Sequence, residues 1–476
     1  MLMIGVPAGA LCLLLLICAL LQTPLAGRFA LKQLHSYLRN KSGIDLQASR
    51  LRLYPFQASA IIEDMAVSAV SAPELPPLFR ASRIDVQSGI LDMVRGRWII
   101  RNLTIVKPAI QYHVTRDGKT NLPATDSPSG PAPDFLISRA EASDGSFNYQ
   151  NLRAGISAML PQWRLSVSGN KETRVHHILF ACLRESSFNY QSRVIPVRSL
   201  ELSADLRKNA LRIERLQLAA ADSTISVSGI LDDFSGPTAD LEITPDLDIG
   251  RIAGLARLSE SVRGGISGTI LLQGKLDNLK IKAQLKGSDI HAFNYEGAGF
   301  DLASRVEWLR DSGKLIVREL ALDSTQGSVN GSANLFLGSK QGVNLVEARI
   351  RDFDLSPLWK RLHLPVDLAS RSTGLISVKW TGPFTTSGIV GNAALKLEAT
   401  RTAPGLYILP VSGTLDAQMQ SNRIIGNLRS LSAFGAQVDG DFAIQSFRDI
   451  EGSFSGNASD IAAVMEQLSP FVGDRV

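Results

Sequence analysis

The 476-residue chain has only three cysteines, and two of them, Cys12 and Cys18, lie in an apolar N-terminal stretch. Cys182 is left without a partner in the remaining sequence, which excludes a disulfide scaffold and fits either redox compartment. Aromatic residues make up 6%, little for the core of a two-sheet sandwich of this size. Charged residues at 20% and hydrophobic residues at 45% exclude a largely disordered chain and a polytopic membrane protein alike.

Catalytic signatures are also missing. There is no Gly-x-Ser-x-Gly elbow, and the Ser, Asp and His residues form no ordered triad. Gly264-Gly-Ile-Ser-Gly268 lacks the Lys-Ser/Thr of a phosphate loop and is expected to be a turn entering a strand. Of the six histidines only His176 and His177 are adjacent, and neighbours on a strand face opposite sides. Cys182 is nearby, but no fourth ligand has zinc-like spacing, so solvated turn histidines are expected. Glu63-Asp64 and Asp232-Asp233 are expected in turns and not as a catalytic carboxylate pair. No enzyme, metal or cofactor is therefore expected.

The net charge of +5 is uneven: residues 28 to 119 hold 14 Lys+Arg and 7 Asp+Glu, so the basic excess adjoins the N-terminus. No aromatics interleave with it in a recognisable motif, which favours anionic lipid head groups over nucleic acid. Residues 1–27 carry no charge, and the run includes Leu11, Leu13, Leu14, Leu15, Leu16 and Ile17, long enough to span a bilayer. No Lys or Arg precedes the run and Pro24-Leu25-Ala26 is a poor cleavage site, so a transmembrane anchor is expected rather than a signal peptide. Arg28, Lys32, Arg39 and Lys41 follow the run, and by charge alone they belong in the cytoplasm. Phe29, Leu34 and Leu38 are at helical spacing, which predicts an amphipathic helix along the membrane surface.

After Gly43 the pattern becomes short alternating segments. In Lys280-Ile-Lys-Ala-Gln-Leu-Lys286 the apolar side chains face one way and the polar ones the other. The same alternation in Leu211–Ile213, Thr224–Ser228, Asp240–Ile243, Leu315–Val317, Leu375–Trp380 and Leu395–Glu398 predicts antiparallel neighbours in a meander. Asp126-Ser-Pro-Ser-Gly-Pro-Ala-Pro133 reads as a linker between a domain at 28–125 and a longer body at 134–476.

The body repeats. Leu211–Leu255, Leu315–Leu362 and Ile424–Leu468 share a layout of strand, turn, a strand ending in Gly229, Gly331 or Gly440, two more strands and a short helix. The helices read Asp248–Leu255, Leu355–Leu362 and Ser459–Leu468, with Ser356 and Ser459-Asp460 as caps. A shorter echo, Phe-Asn-Tyr, recurs at Phe147, Phe188 and Phe293. This predicts a mainly β fold: an elongated, curled antiparallel sheet of roughly 30 strands with short interspersed helices. Curling would bring the apolar faces into one groove, for which alternation nominates Ile213, Ile225, Val227, Leu241, Ile243, Ile281, Ala283, Leu285, Ile376, Val378, Leu395 and Leu397.

The stretch from Gly43 to Pro123 resembles the N-terminal domain of AsmA-like proteins. The matching pieces are Gly43-Ile-Asp-Leu, Leu53-Tyr-Pro55, Ile62-Glu-Asp-Met65, Ala81–Val86, Leu91–Arg95, Gly96–Leu103, Lys107–Tyr112 and Asp117–Leu122, with Gly118-x-x-Asn121 the most telling. The later repeats look like those of the AsmA and TamB group. The resemblance implies a single-pass protein of the bacterial inner membrane with its body in the periplasm. It further implies that the body carries phospholipid along its groove toward the outer membrane, where TamB-like members meet a barrel protein partner. An assembly factor that holds outer-membrane or secreted chains by β-strand contact is the alternative.

Overall fold

A computed structural model describes residues 22–465 except 90–98, 124–135, 171, 191–192, 221, 257–261, 293–294, 338–341, 355, 357–366, 383–387, 401–407, 434, 446–448 and 463. The chain is mainly β and divides into two units, Met1–Phe234 and Ser235–Val476.

Among the described residues of the first unit a helix, Pro24–Ser42, precedes 14 strands. Thr23 caps its start by accepting from the Ala26 N–H, and Gly43 ends it in the left-handed conformation. The helix packs on β1 (Ile44–Gln47) and β2 (Arg50–Tyr54) through Gly27, Leu31, His35 and Leu38, spaced by four, four and three residues. Gly27 is where the backbones meet: a Cβ there would stand 2.0 Å from the Leu51 carbonyl oxygen. His35 Nδ1 lies 2.8 Å from the Leu46 carbonyl. The expected membrane stripe is thus divided, with Leu38 half-buried on the sheet side and Phe29 and Leu34 exposed. No helix among the described residues is long and apolar enough to cross a membrane, and Leu11, Leu13, Leu14, Leu15, Leu16 and Ile17 lie outside them.

The ladder starts with β1 and β2 end to end along β3 (Ser59–Ala69), followed by β4 (Phe79–Ser88). β5 (Ile99–Val106) and β6 (Ala109–Val114) continue one another beside β4. β7 (Leu136–Ile137) and β8 (Arg139–Asn151) pair with β5 and β6 in parallel, so the ladder continues across the Pro-rich segment at 126–133, which lies outside the described residues. Antiparallel pairing then runs through β9 (Ile156–Asn170), β10 (Val175–Cys182) with β11 (Ser186–Tyr190), β12 (Arg193–Leu206), β13 (Ala210–Ala220) and β14 (Ser223–Asp232).

The second unit is an antiparallel meander in chain order: β15 (Thr238–Asp248), β16 (Arg263–Lys275), β17 (Asn278–Ala292), β18 (Tyr295–Leu309), β19 (Lys314–Ser324), β20 (Gly327–Phe336), β21 (Val343–Asp354), β22 (Asp367–Thr381) and β23 (Val390–Ala399). β24 (Ile408–Pro410) pairs in parallel with the start of β22. The meander resumes with β25 (Ser412–Gln420), β26 (Arg423–Ala433), β27 (Ala436–Gln445) and β28 (Asp449–Ala458). Ser421 and Asn422, both at positive φ, make the two-residue turn between β25 and β26.

Several local expectations are corrected. Gly229, Gly331 and Gly440 lie inside β14, β20 and β27 and do not end them. Gly264–Gly268 lies within β16, and His176-His177 lie in β10 and not in a turn. Asp232 and Asp233 do close β14, but Glu63 and Asp64 lie in mid-strand in β3, where Asp64 takes a positive φ. The first repeat helix is Ile249–Ala256, capped by Asp248, whose Oδ1 accepts from the Gly250 and Arg251 N–H groups at 2.9 and 3.2 Å. In the next repeat the Asp354 Oδ1 accepts from the Ser356 N–H at 2.9 Å. The rest of that helix lies outside the described residues, and the third is helical from Ile461.

Candidate functional site

The strand register decides which side chains share a face, because residues directly opposite in an antiparallel pair point the same way. In the second unit Leu241 lies opposite Leu272, Leu272 opposite Ile281, and Ile281 opposite Val306. One step along the same rows, Ile243 meets Ile270 and Ile270 meets Ala283, while Leu285 meets Leu302. After the bulge in β19 the face continues through Val317, Ala333 and Val346 to Val378. It then runs through Ile376 and Ala393, with Leu395 and Leu397 beside them, to Leu415, Leu428 and the Ile424–Ile444 row. All nine residues nominated in this unit therefore lie on one apolar stripe.

The first unit builds a stripe of its own. Ile213, Ile225 and Val227 share it, linked by Ile213–Gly229, Leu216–Val227 and Leu218–Ile225. It extends through Leu202 and Ala204 to Phe180 and Ile178, then to Leu165 and Val167. Beyond them lie Ala142, Ile105, Ile84 and Ile62. Aromatics gather along it: Trp163 and Phe180 have ring centroids 5.8 Å apart, and Tyr112 and Tyr149 stack at 5.6 Å. The Phe-Asn-Tyr echoes at Phe147 and Phe188 lie on β8 and β11, which flank β9, while Phe293 lies outside the described residues.

The burial of the stripe is its unusual property. Of the twelve nominated residues only Ile213 and Leu397 are buried, and the other ten are half-buried. Among the described residues 16 apolar side chains are buried, half of them alanine. The opposite face is wet. Lys280, Lys282, Gln284 and Lys286 are exposed, and ion pairs such as Lys286–Asp301 (3.7 Å) and Arg305–Glu319 (3.3 Å) cross between its strands. Such pairs add little to stability but keep that face hydrated.

Concavities among the described residues gather on the wet side. One of about 890 Å³ is lined by Asn330, Glu347, Arg349, Asp416 and Arg429 together with Leu375 and Ile376. A second, of about 420 Å³, lies between Gln284, Lys286, Asp301 and Asp323. Alternation also marked Leu302, Val306, Val346 and Leu415, which the nominations omit; the β18 run Phe300-Asp-Leu-Ala-Ser-Arg-Val-Glu-Trp308 shows the same period as β17. What alternation could not supply was the order in which the rows join. No family model, curated protein or solved structure matches this chain.

Proposed function

We propose that the protein holds phospholipid acyl chains against its apolar stripes and lets them slide from strand to strand, as the resemblance to AsmA-like proteins implies. The observation that carries this reading is that apolar residues follow one another from strand to strand across the bulges, and ten of the twelve nominated among them are only half-buried. Leu, Ile and Val side chains left partly exposed are costly in water, and each acyl CH₂ laid on them gains ~0.8 kcal/mol. The pairing of one apolar and one charged face leaves the head group in water while its chains rest on the sheet. Residues 1–27, uncharged throughout, would hold the body at the inner membrane, and the direction of travel would be toward the outer membrane.

Site-directed photocrosslinking of the full chain in cells tests this. A benzophenone side chain at Ile281, Leu285 or Val378 should yield phospholipid adducts by mass spectrometry, and at Lys282 or Lys286 none. Adducts to polypeptide instead of lipid at the stripe would overturn the proposal and favour strand-contact chaperoning. Equal labelling of both faces would also overturn it.

A further inference from the structure

The wet face of the first unit brings together three metal-ligating side chains that the lipid reading leaves unused. His177 on β10 lies directly opposite Asp205 on β12, with its Nδ1 2.9 Å from the Asp205 Oδ1. The third, Glu214 on β13, is there because of a bulge: Ala204 pairs with Ile213 and Ser203 with Arg215, so Glu214 is the residue without a partner across the ladder. Bulges re-aim side chains in this way. Its Oε2 accepts a hydrogen bond from Ser203 Oγ at 2.6 Å, which fixes the carboxylate and leaves Oε1 available. One donor atom from each of the three residues lies within 4.8 Å of the other two.

We propose that His177, Asp205 and Glu214 form a zinc site. One imidazole nitrogen and two carboxylate oxygens are ordinary zinc donors at about 2.0–2.2 Å, and three protein ligands leave a fourth position for water. A tetrahedron of such bonds separates its donors by roughly 3.3 Å, so side-chain rotation of about an ångström closes this triad around the ion. His177 and Asp205 also line a concavity of about 740 Å³, together with Ser168, Asn170, Thr173 and Arg207. Ser203 supplies the hydrogen bond to a ligand that metal sites use to orient their donors. His176 is excluded, because it pairs with Leu206 and Gly169 on the apolar face. Sequence spacing hides the set: its members lie on three strands, and only register unites them. Bound zinc would fasten β10, β12 and β13 together at the bulge.

The test is equilibrium dialysis of the untagged full chain, stripped with chelator and held in detergent, against zinc ions, with the metal counted by mass spectrometry. One zinc per chain is expected. His177→Asn and Glu214→Gln should each weaken binding at least tenfold, while His176→Asn leaves it unchanged. All three positions lie on a surface or half-exposed face, and circular dichroism confirms that each variant keeps its strands. Cobalt in place of zinc should give visible absorption bands that His177→Asn abolishes. Failure of the wild type to retain zinc, or equal retention by the His177 and Glu214 variants, overturns the proposal.

Discussion

Leu320 on β19 lies directly opposite Gly331 on β20, while Val317 lies opposite Ala333, so three steps on one strand match two on the other. The same bulge separates Ile213–Gly229 from Leu216–Val227 and Leu428–Gly440 from Leu431–Val438. In every case two polar residues stand between apolar ones: Glu214-Arg215, Arg318-Glu319 and Arg429-Ser430. A bulge bends its strand and sharpens the local twist. The glycine beside it removes a side chain where the next strand closes in. A Cβ on Gly331 would stand 2.5 Å from the Glu347 carbonyl oxygen, and one on Gly440 2.5 Å from that of Ser453. The repeat seen in the sequence is therefore a repeated bend.

Gly331→Val and Gly440→Val should each destabilise their unit by about 2 kcal/mol, the cost of overpacking against backbone. Ser332→Ala, one residue along β20, should stay within about 0.5 kcal/mol. Urea unfolding followed by far-ultraviolet circular dichroism distinguishes the two. Equal midpoints for Gly331→Val and Ser332→Ala would remove the steric role of the glycine.

Asn121, 1% exposed, ties together the turn that follows β6. Its Nδ2 donates to the Pro76 and Gln111 carbonyls at 3.0 and 2.6 Å, and its Oδ1 accepts from the His113 N–H at 2.9 Å. Asn121→Ala leaves these groups without partners and should cost about 3 kcal/mol. Hydrogen exchange at the His113 amide should accelerate in the variant, and an unchanged rate would refute the assignment.

The Arg318 guanidinium donates two hydrogen bonds to the Glu307 carboxylate, at 2.8 and 2.7 Å. This holds the Glu307 carboxyl below its ordinary value, with the charges of Arg318 and Lys280 acting in the same direction. A carboxyl depressed by folding contributes stability above the unfolded value near 4.3, and the contribution is lost as pH falls through the folded value. The Glu307 carboxyl resonance should therefore titrate below the usual glutamate range, and Arg318→Gln should return it there. A titration midpoint that Arg318→Gln does not move counts against the pair.

Burial, reinforced by the nearby Asp354 charge, pushes the Tyr295 phenol up to about 12. Its hydroxyl donates to the Asp354 backbone carbonyl at 2.6 Å, and its ring meets Phe353 edge-on. A phenol raised by folding favours the folded state below the unfolded value near 10, and that contribution is lost as pH rises toward 12. Stability should thus fall between these values, less steeply in Tyr295→Phe. Ultraviolet difference titration of wild type against Tyr295→Phe reads the shift, and ionisation of Tyr295 near pH 10 would refute it.

Much of the local structure was legible without coordinates. Lys280–Lys286 reads as a strand with Ile281, Ala283 and Leu285 on one face, and β17 is that strand. Asp232-Asp233 reads as a turn and closes β14. Glu63-Asp64 reads equally well as a turn but lies within β3, because neighbours on both sides of that strand hold it extended around the positive φ of Asp64. Phe29, Leu34 and Leu38 share helical spacing, yet the helix buries the Gly27–Leu31–His35–Leu38 row, since only a glycine allows the approach to Leu51.

By itself the sequence determined the period of segments such as Lys280–Lys286 and hence their apolar and polar sides, because successive Cβ atoms of an extended chain must alternate. Tertiary structure alone decided how those sides join: which strands pair, where a bulge slips the register, and which distant residues become neighbours. Leu241, Ile281 and Val306 form one row, and His177, Asp205 and Glu214 one cluster, only through interstrand hydrogen bonds. Those bonds are made by backbone groups that every residue carries, so the pairing leaves no mark on the local sequence.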